Sequence, residues 1–132
     1  MQIDQLIIQQ LKSVHTQTYW YIGPDKAPVL YVVLDKISDV AQSDKDTAIA
    51  PDKVSKMRLQ IKIYGNSNAD VLELRQYITQ FIRTQRNISD GAQWIMAYDT
   101  STVSGYMSKE RRFYNTIDVS VFYKDSLTED ES

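Results

Sequence analysis

A chain of 132 residues, 42% of them hydrophobic, has the length of one domain and can bury a single cooperative core. It contains no cysteine, which excludes disulfides and thiolate metal sites and fits folding in a reducing cytoplasm. A net charge of −2 lacks the basic excess of a dedicated nucleic-acid binder, and no apolar run is long enough to span a bilayer.

Ile3, Ile7, Leu11 and Val14 recur at three- and four-residue spacing, with Gln2, Gln5, Gln9 and Lys12 between them. This pattern predicts an amphipathic helix. Asp4 precedes most of the apolar positions and neither a basic start nor a small-residue cleavage site is present, so a signal peptide is not expected. The aromatic cluster Tyr19, Trp20 and Tyr21 is expected to pack against this helix. Gly23-Pro24-Asp25 favours a turn and leads into Val29 to Leu34, whose continuous β-branched and aromatic residues predict a strand covered on both faces.

After Ile37 the pattern dissolves into polar residues up to about Ser55. Asp39, Asp44, Asp46 and Asp52 outnumber Lys45 and Lys53 there, giving a mildly acidic long loop that is a candidate surface toward a channel or a neighbouring molecule. Met57, Leu59, Ile61 and Ile63 then alternate with Arg58, Gln60, Lys62 and Tyr64, the signature of a strand with one buried and one wet face, antiparallel to the first.

Gly65-Asn66-Ser67-Asn68 ends that strand, and Ser67 with Asp70 is suited to cap a helix. Val71, Leu74, Ile78 and Phe81 follow at helical spacing, with Leu72 and Ile82 widening the stripe and Arg83 and Arg86 near the negative end of the helix dipole. Two extended runs close the chain, Trp94 to Tyr98 and Phe113 to Tyr123. The Ser- and Thr-rich stretch Asp99 to Arg112 reads as a second long hairpin loop. Its Tyr106, Met107, Lys109, Arg111 and Arg112 combine aromatic, flexible apolar and cationic groups typical of interface anchors.

The expected fold is therefore α+β with the order α-β-β-α-β-β. It comprises a four-stranded, mainly antiparallel sheet with two helices on one face and two long hairpin loops. Residues 1–124 form the domain. Residues 125–132 hold four acids and one large apolar residue, Leu127, and are expected to form a disordered acidic tail.

No local chemistry emerges. His15 is the single histidine and has no carboxylate pair at ligand spacing beside it. None of the four glycines is spaced as a phosphate-binding loop, and no Gly-x-Ser-x-Gly elbow occurs. Catalytic, metal and cofactor sites are accordingly not expected.

Three stretches resemble the tail terminator (tail completion, or head-tail joining) proteins of long-tailed bacteriophages. They are Pro28 to Leu34 after an N-terminal helix, Met57 to Gly65, and the helix Ala69 to Ile82 that follows directly; the final strand Phe113 to Tyr123 also fits. The resemblance spans roughly residues 1 to 124. It implies a non-enzymatic virion protein, made in the host cytoplasm, that forms a hexameric ring at the head-proximal end of the tail. Such a ring caps the tube, ends its polymerisation and docks the head connector or stopper protein, with DNA passing through and no membrane involved. Alternatives are a head completion or stopper protein, a tube subunit, or a DNA-binding module using Arg58, Lys62, Arg111 and Arg112.

Overall fold

The computed structural model describes residues 2–26, 28–41 and 54–124. Helix α1 spans Ile3–Lys12 and opens on a capping box, in which the Gln2 backbone N–H donates to the Gln5 side-chain oxygen at 3.1 Å. It buries Ile3, Leu6, Ile7 and Leu11. Strand β1, Thr18–Trp20, follows, and the Trp20 indole N–H donates to the Asp4 carbonyl at 3.2 Å, tying the strand to the helix.

Strands β2 (Leu30–Ala41) and β3 (Ser55–Gly65) pair antiparallel along their length, with a bulge between Lys36 and Ser38. Helix α2, Asn68–Thr84, starts at Ser67, whose hydroxyl accepts from the Asp70 N–H, and buries Val71, Leu74, Ile78 and Ile82. Gly65 lets the strand run close beneath this helix. A Cβ there would stand 2.8 Å from Val71 Cγ2 and 2.9 Å from Leu30 Cδ1.

Strand β4 (Ile88–Asp90) turns through Gly91 at φ 90° into β5 (Ala92–Met107), which pairs antiparallel with β6 (Arg112–Lys124). The strand order is β1-β2-β3-β6-β5-β4. Every pairing is antiparallel except β1 with β2.

This architecture corrects the expected four-stranded sheet to a six-stranded mixed one, in the order α-β-β-β-α-β-β-β. The two additional strands are three residues each, too short for a period-two pattern to register. The bounds of the two expected hairpin loops are also corrected, with residues 42–53 outside the described residues. β2 runs on to Ala41, so Asp39 lies in a strand, and most of Asp99 to Arg112 is strand, leaving a turn at residues 108–111. Polar and Thr-rich composition suggested a loop there, whereas an edge strand with little to bury tolerates the same composition.

Val32 and Leu34, then Ile63, Ile61, Leu59 and Met57, then Ile117, Val119 and Val121 lie across one sheet face in register. With the buried positions of both helices they form one core, and α1 packs on β1 and β5 while α2 packs on β3, β5 and β6. Each such fully buried aliphatic side chain contributes about 1.5–3 kcal/mol relative to exposure. Asn115 is fully buried in the same row and is satisfied from β5, its amide donating to Ser104 Oγ at 2.7 Å and its oxygen accepting from Thr102 at 3.1 Å.

Among the described residues no helix covers the opposite face. It carries a stacked Tyr31–Tyr64 pair at 5.0 Å, the Lys62–Asp35 ion pair at 2.7 Å, and Asp118 accepting from Gln60 and Ser101. Val33 on that face is 6% exposed, because Gly23 of the preceding turn lies against Tyr31 and Val33, and Ser120 is buried there too.

Candidate assembly surfaces

The sheet ends differently at its two sides, and both ends leave backbone available. β4 flanks β5 over Ala92–Trp94, and the Asn87 N–H reaches the Ile95 carbonyl at 3.0 Å. From Met96 to Met107, among the described residues, β5 pairs with β6 on one side and no strand flanks the other, while α2 packs along it and Arg83 binds Asp99. An unflanked strand presents a row of N–H and C=O groups that template pairing, and soluble proteins usually blunt such a row with lysine, proline or charge. Asp99, paired with Arg83, and a bulge between Asp99 and Ser101 interrupt this edge, while Thr100 to Met107 contains no lysine, proline or charge. Val103 and Tyr106 there are 59% and 51% exposed.

At the other side β1 covers Val32, Val33 and Leu34, so β2 is unflanked from Asp35 onward among the described residues. Ile37, at the bulge, is half exposed, and Tyr21, Ile22 and Val29 are exposed nearby in the chain. β2 and β5 run in opposite directions, since three successive antiparallel pairings separate them. One copy's β5 edge can therefore continue into a second copy's β2 edge as an antiparallel sheet. This contact joins two different patches, the heterologous kind that closes rings.

All five predicted anchor residues share one hairpin. Tyr106 and Met107 end β5, Lys109 lies in the turn, and Arg111 closes it at φ 57°, a left-handed conformation that an L side chain adopts at some cost. The Tyr106 ring packs on Phe113 at 4.7 Å. Arg112 is held against the body, donating to the Pro28 carbonyl at 2.7 Å with its guanidinium 5.3 Å from the centre of the Tyr31 ring. Of the predicted acidic group, Asp39 pairs with Lys36 at 3.5 Å and accepts from the Tyr123 hydroxyl. Asp44, Asp46 and Asp52 lie outside the described residues, as do residues 125–132.

Charges near the edges are organised in pairs. Burial works against the Lys36 ammonium, but hydrogen bonding and attraction to Asp4, with Asp39 adding to them, hold its pKa above the ordinary value. Lys62 is raised by its hydrogen bond to Asp35, and burial raises the Tyr64 phenol. Asp99, midway along β5, is lowered by its hydrogen bonds from Arg83 of α2. Sequence reasoning missed this pair, because the partners are sixteen residues apart on different elements.

His15 Nε2 lies 2.9 Å from the Leu30 carbonyl. Among the described residues no three His, Cys, Asp or Glu side chains gather as a metal site, and no helix is long and apolar enough to cross a membrane.

No protein-family model matches the chain, and no curated protein is similar to it in sequence. Among solved structures it is similar to a chain of the "virion of native gene transfer agent (GTA) particle". The TM-score is 0.67 at 9% sequence identity, covering 92% of this chain and 94% of that one. That likeness shows a fold shared over nearly the whole length of both chains.

Proposed function

We propose that this chain is a structural virion protein that acts by assembling with copies of itself and with other virion components, without catalysing a reaction. The observation that carries the reading is the stretch Thr100 to Met107 of β5, with neither charge nor flanking strand, in a fold shared end to end with a virion chain. An edge of that kind exposed on a permanent monomer invites uncontrolled pairing, so a neighbour's strand is its natural cover.

More specifically, we assign the role of tail terminator: a ring, hexameric on the tail, that caps the tube, ends its growth and docks the head connector. Antiparallel continuation from β5 to a neighbour's β2 supplies the head-to-tail contact such a ring needs. The sequence resemblance of Pro28 to Leu34, Met57 to Gly65 and Ala69 to Ile82 supports this role over that of a stopper protein.

A tube subunit would use the same edges but would stack repeatedly. Growing tail tubes in the presence of the purified chain separates the two. A terminator adds once per tube end and shortens the length distribution as its concentration rises. Continued elongation with incorporation of the chain along the tube would reassign it as a tube subunit, and no association with tubes would remove the tail reading.

A further inference from the structure

The cover of the β2 edge stops abruptly. The Tyr21 N–H donates to the Leu34 carbonyl at 2.7 Å, and one residue later the Ile22 N–H turns back to the Trp20 carbonyl at 2.7 Å. Tyr21 takes φ 64° to close that three-residue turn, a strained conformation for an aromatic residue. The turn carries the chain out of the lane beside β2, so that among the described residues the edge opens at Asp35. It leaves Tyr21 53% and Ile22 79% exposed at the opening. Strain that holds two exposed apolar side chains at the mouth of an open edge marks a contact point.

Of the large hydrophobic side chains exposed among the described residues, Tyr21, Ile22 and Ile37 flank the β2 edge, and Val103 and Tyr106 lie on β5. A second copy, which brings the opposite edge, covers both groups in one contact. Copies related by rotation within a ring keep their helix-covered faces on one side, so residues of like face must stand opposite each other. On β5, Thr102, Ser104 and Tyr106 share the face of Ile117, Asn115 and Phe113. On β2, Lys36 and, beyond the bulge, Asp39 share the face of Leu59 and Met57.

We infer that β5 of one copy lies end to end with β1 of the next, in the lane beside β2 and in a single register. Met107 stands opposite Asp35, Tyr106 opposite Lys36, Gly105 opposite Ser38 and Ser104 opposite Asp39. Tyr21 and Ile22 form the stop against which the Tyr106–Met107 end of β5 abuts. This inference rests on the edge-to-edge assembly above and adds the residues that fix its register. Sliding β5 by one residue would exchange its two faces. Sliding it two residues toward Leu30 would set Tyr106 and Met107 opposite Leu34 and Val33, where β1 is already paired. Sliding it two residues the other way would leave Asp35 and Lys36 unpaired and keep Tyr21 and Ile22 in water.

The chain has no cysteine, so engineered pairs report the register without background. Within one copy Ser104 and Asp39 stand three strand spacings apart, about 14 Å at about 4.8 Å each, too far for a disulfide, so a bond between these positions joins two copies. The test is oxidation of double-cysteine variants at concentrations where sedimentation shows the original chain to be associated. Ser104→Cys with Asp39→Cys should cross-link about tenfold faster than Thr102→Cys or Tyr106→Cys with Asp39→Cys, because a two-residue offset adds about 7 Å along the strand. Ile22→Asp should leave the circular dichroism and the unfolding midpoint unchanged and weaken association about tenfold, since it places a charge at the apolar stop. A shifted pair that cross-links fastest, or three pairs that react at one rate, overturns the register while leaving the edge reading intact. Undiminished association of Ile22→Asp overturns the stop. Association with no cross-link in any pair, or an original chain that never associates, removes the edge reading as well.

Discussion

Arg83 in the last turn of α2 grips Asp99 of β5 through two parallel hydrogen bonds, Nε to Oδ1 at 2.8 Å and NH2 to Oδ2 at 2.9 Å. The fork geometry matches a carboxylate plane and fixes one orientation. It fastens β5 to α2 just before the uncharged Thr100 to Ser108 run.

The pair sets a pH dependence with a definite sign. Because Asp99 is lowered in the folded state, its contribution to stability is fully present above the unfolded carboxyl value of about 3.9 and is lost as pH falls through the folded value. Arg83→Gln is expected to lower the unfolding midpoint at neutral pH and to lose that effect at a pH acidic enough to protonate Asp99 in the original protein. The Asp99 carboxyl resonance should titrate nearer the ordinary range in the variant. Equal midpoint losses at both pH values would show that Arg83 acts through packing instead.

Ile61 lies at the centre of the core, fully buried between Leu34 and Ile117 in register. Ile61→Ala is expected to cost about 2–5 kcal/mol, from lost transfer energy plus the cavity left between three strands and α2. Urea unfolding followed by tryptophan fluorescence reads this directly, because Trp94 is buried in the same core.

Gly65 is required for close approach rather than for backbone freedom, since its neighbours Val71 and Leu30 would crowd any Cβ. Gly65→Ala is expected to destabilise by about 1–3 kcal/mol as α2 shifts to make room. A loss under about 0.5 kcal/mol would mean that the helix start accommodates a methyl group without strain.

Much of the fold is legible in the sequence, and the parts that are not share a physical cause. The stripe on α2, the Ser67 cap and the alternation from Met57 to Ile63 are strong because each element buries one full face. β1 and β4 are invisible because three residues on a sheet edge need no pattern of their own. Thr100 to Ser104 reads as loop because both of its faces are exposed in the isolated chain. The same polarity that hides that strand from the sequence marks it as an edge. The proposal that Tyr106, Met107, Lys109, Arg111 and Arg112 anchor an interface rests on residue chemistry, and the fold places them on one hairpin.

Val103 separates assembly from folding, because its side chain is 59% exposed on the unflanked edge. Val103→Lys is expected to change monomer stability by less than about 0.5 kcal/mol while abolishing self-association, since lysine on an open edge opposes strand addition. Concentration-dependent sedimentation of the variant beside the original chain measures both effects in one preparation.

Whether neighbouring copies join β5 to β2 is decided most directly by electron microscopy of the purified chain at high concentration and on tail-tube ends. Closed rings are expected, with density continuous from each copy's Met96 to Met107 strand into the β2 edge of the next. Solitary particles under both conditions, or rings in which β5 faces solvent, would contradict it.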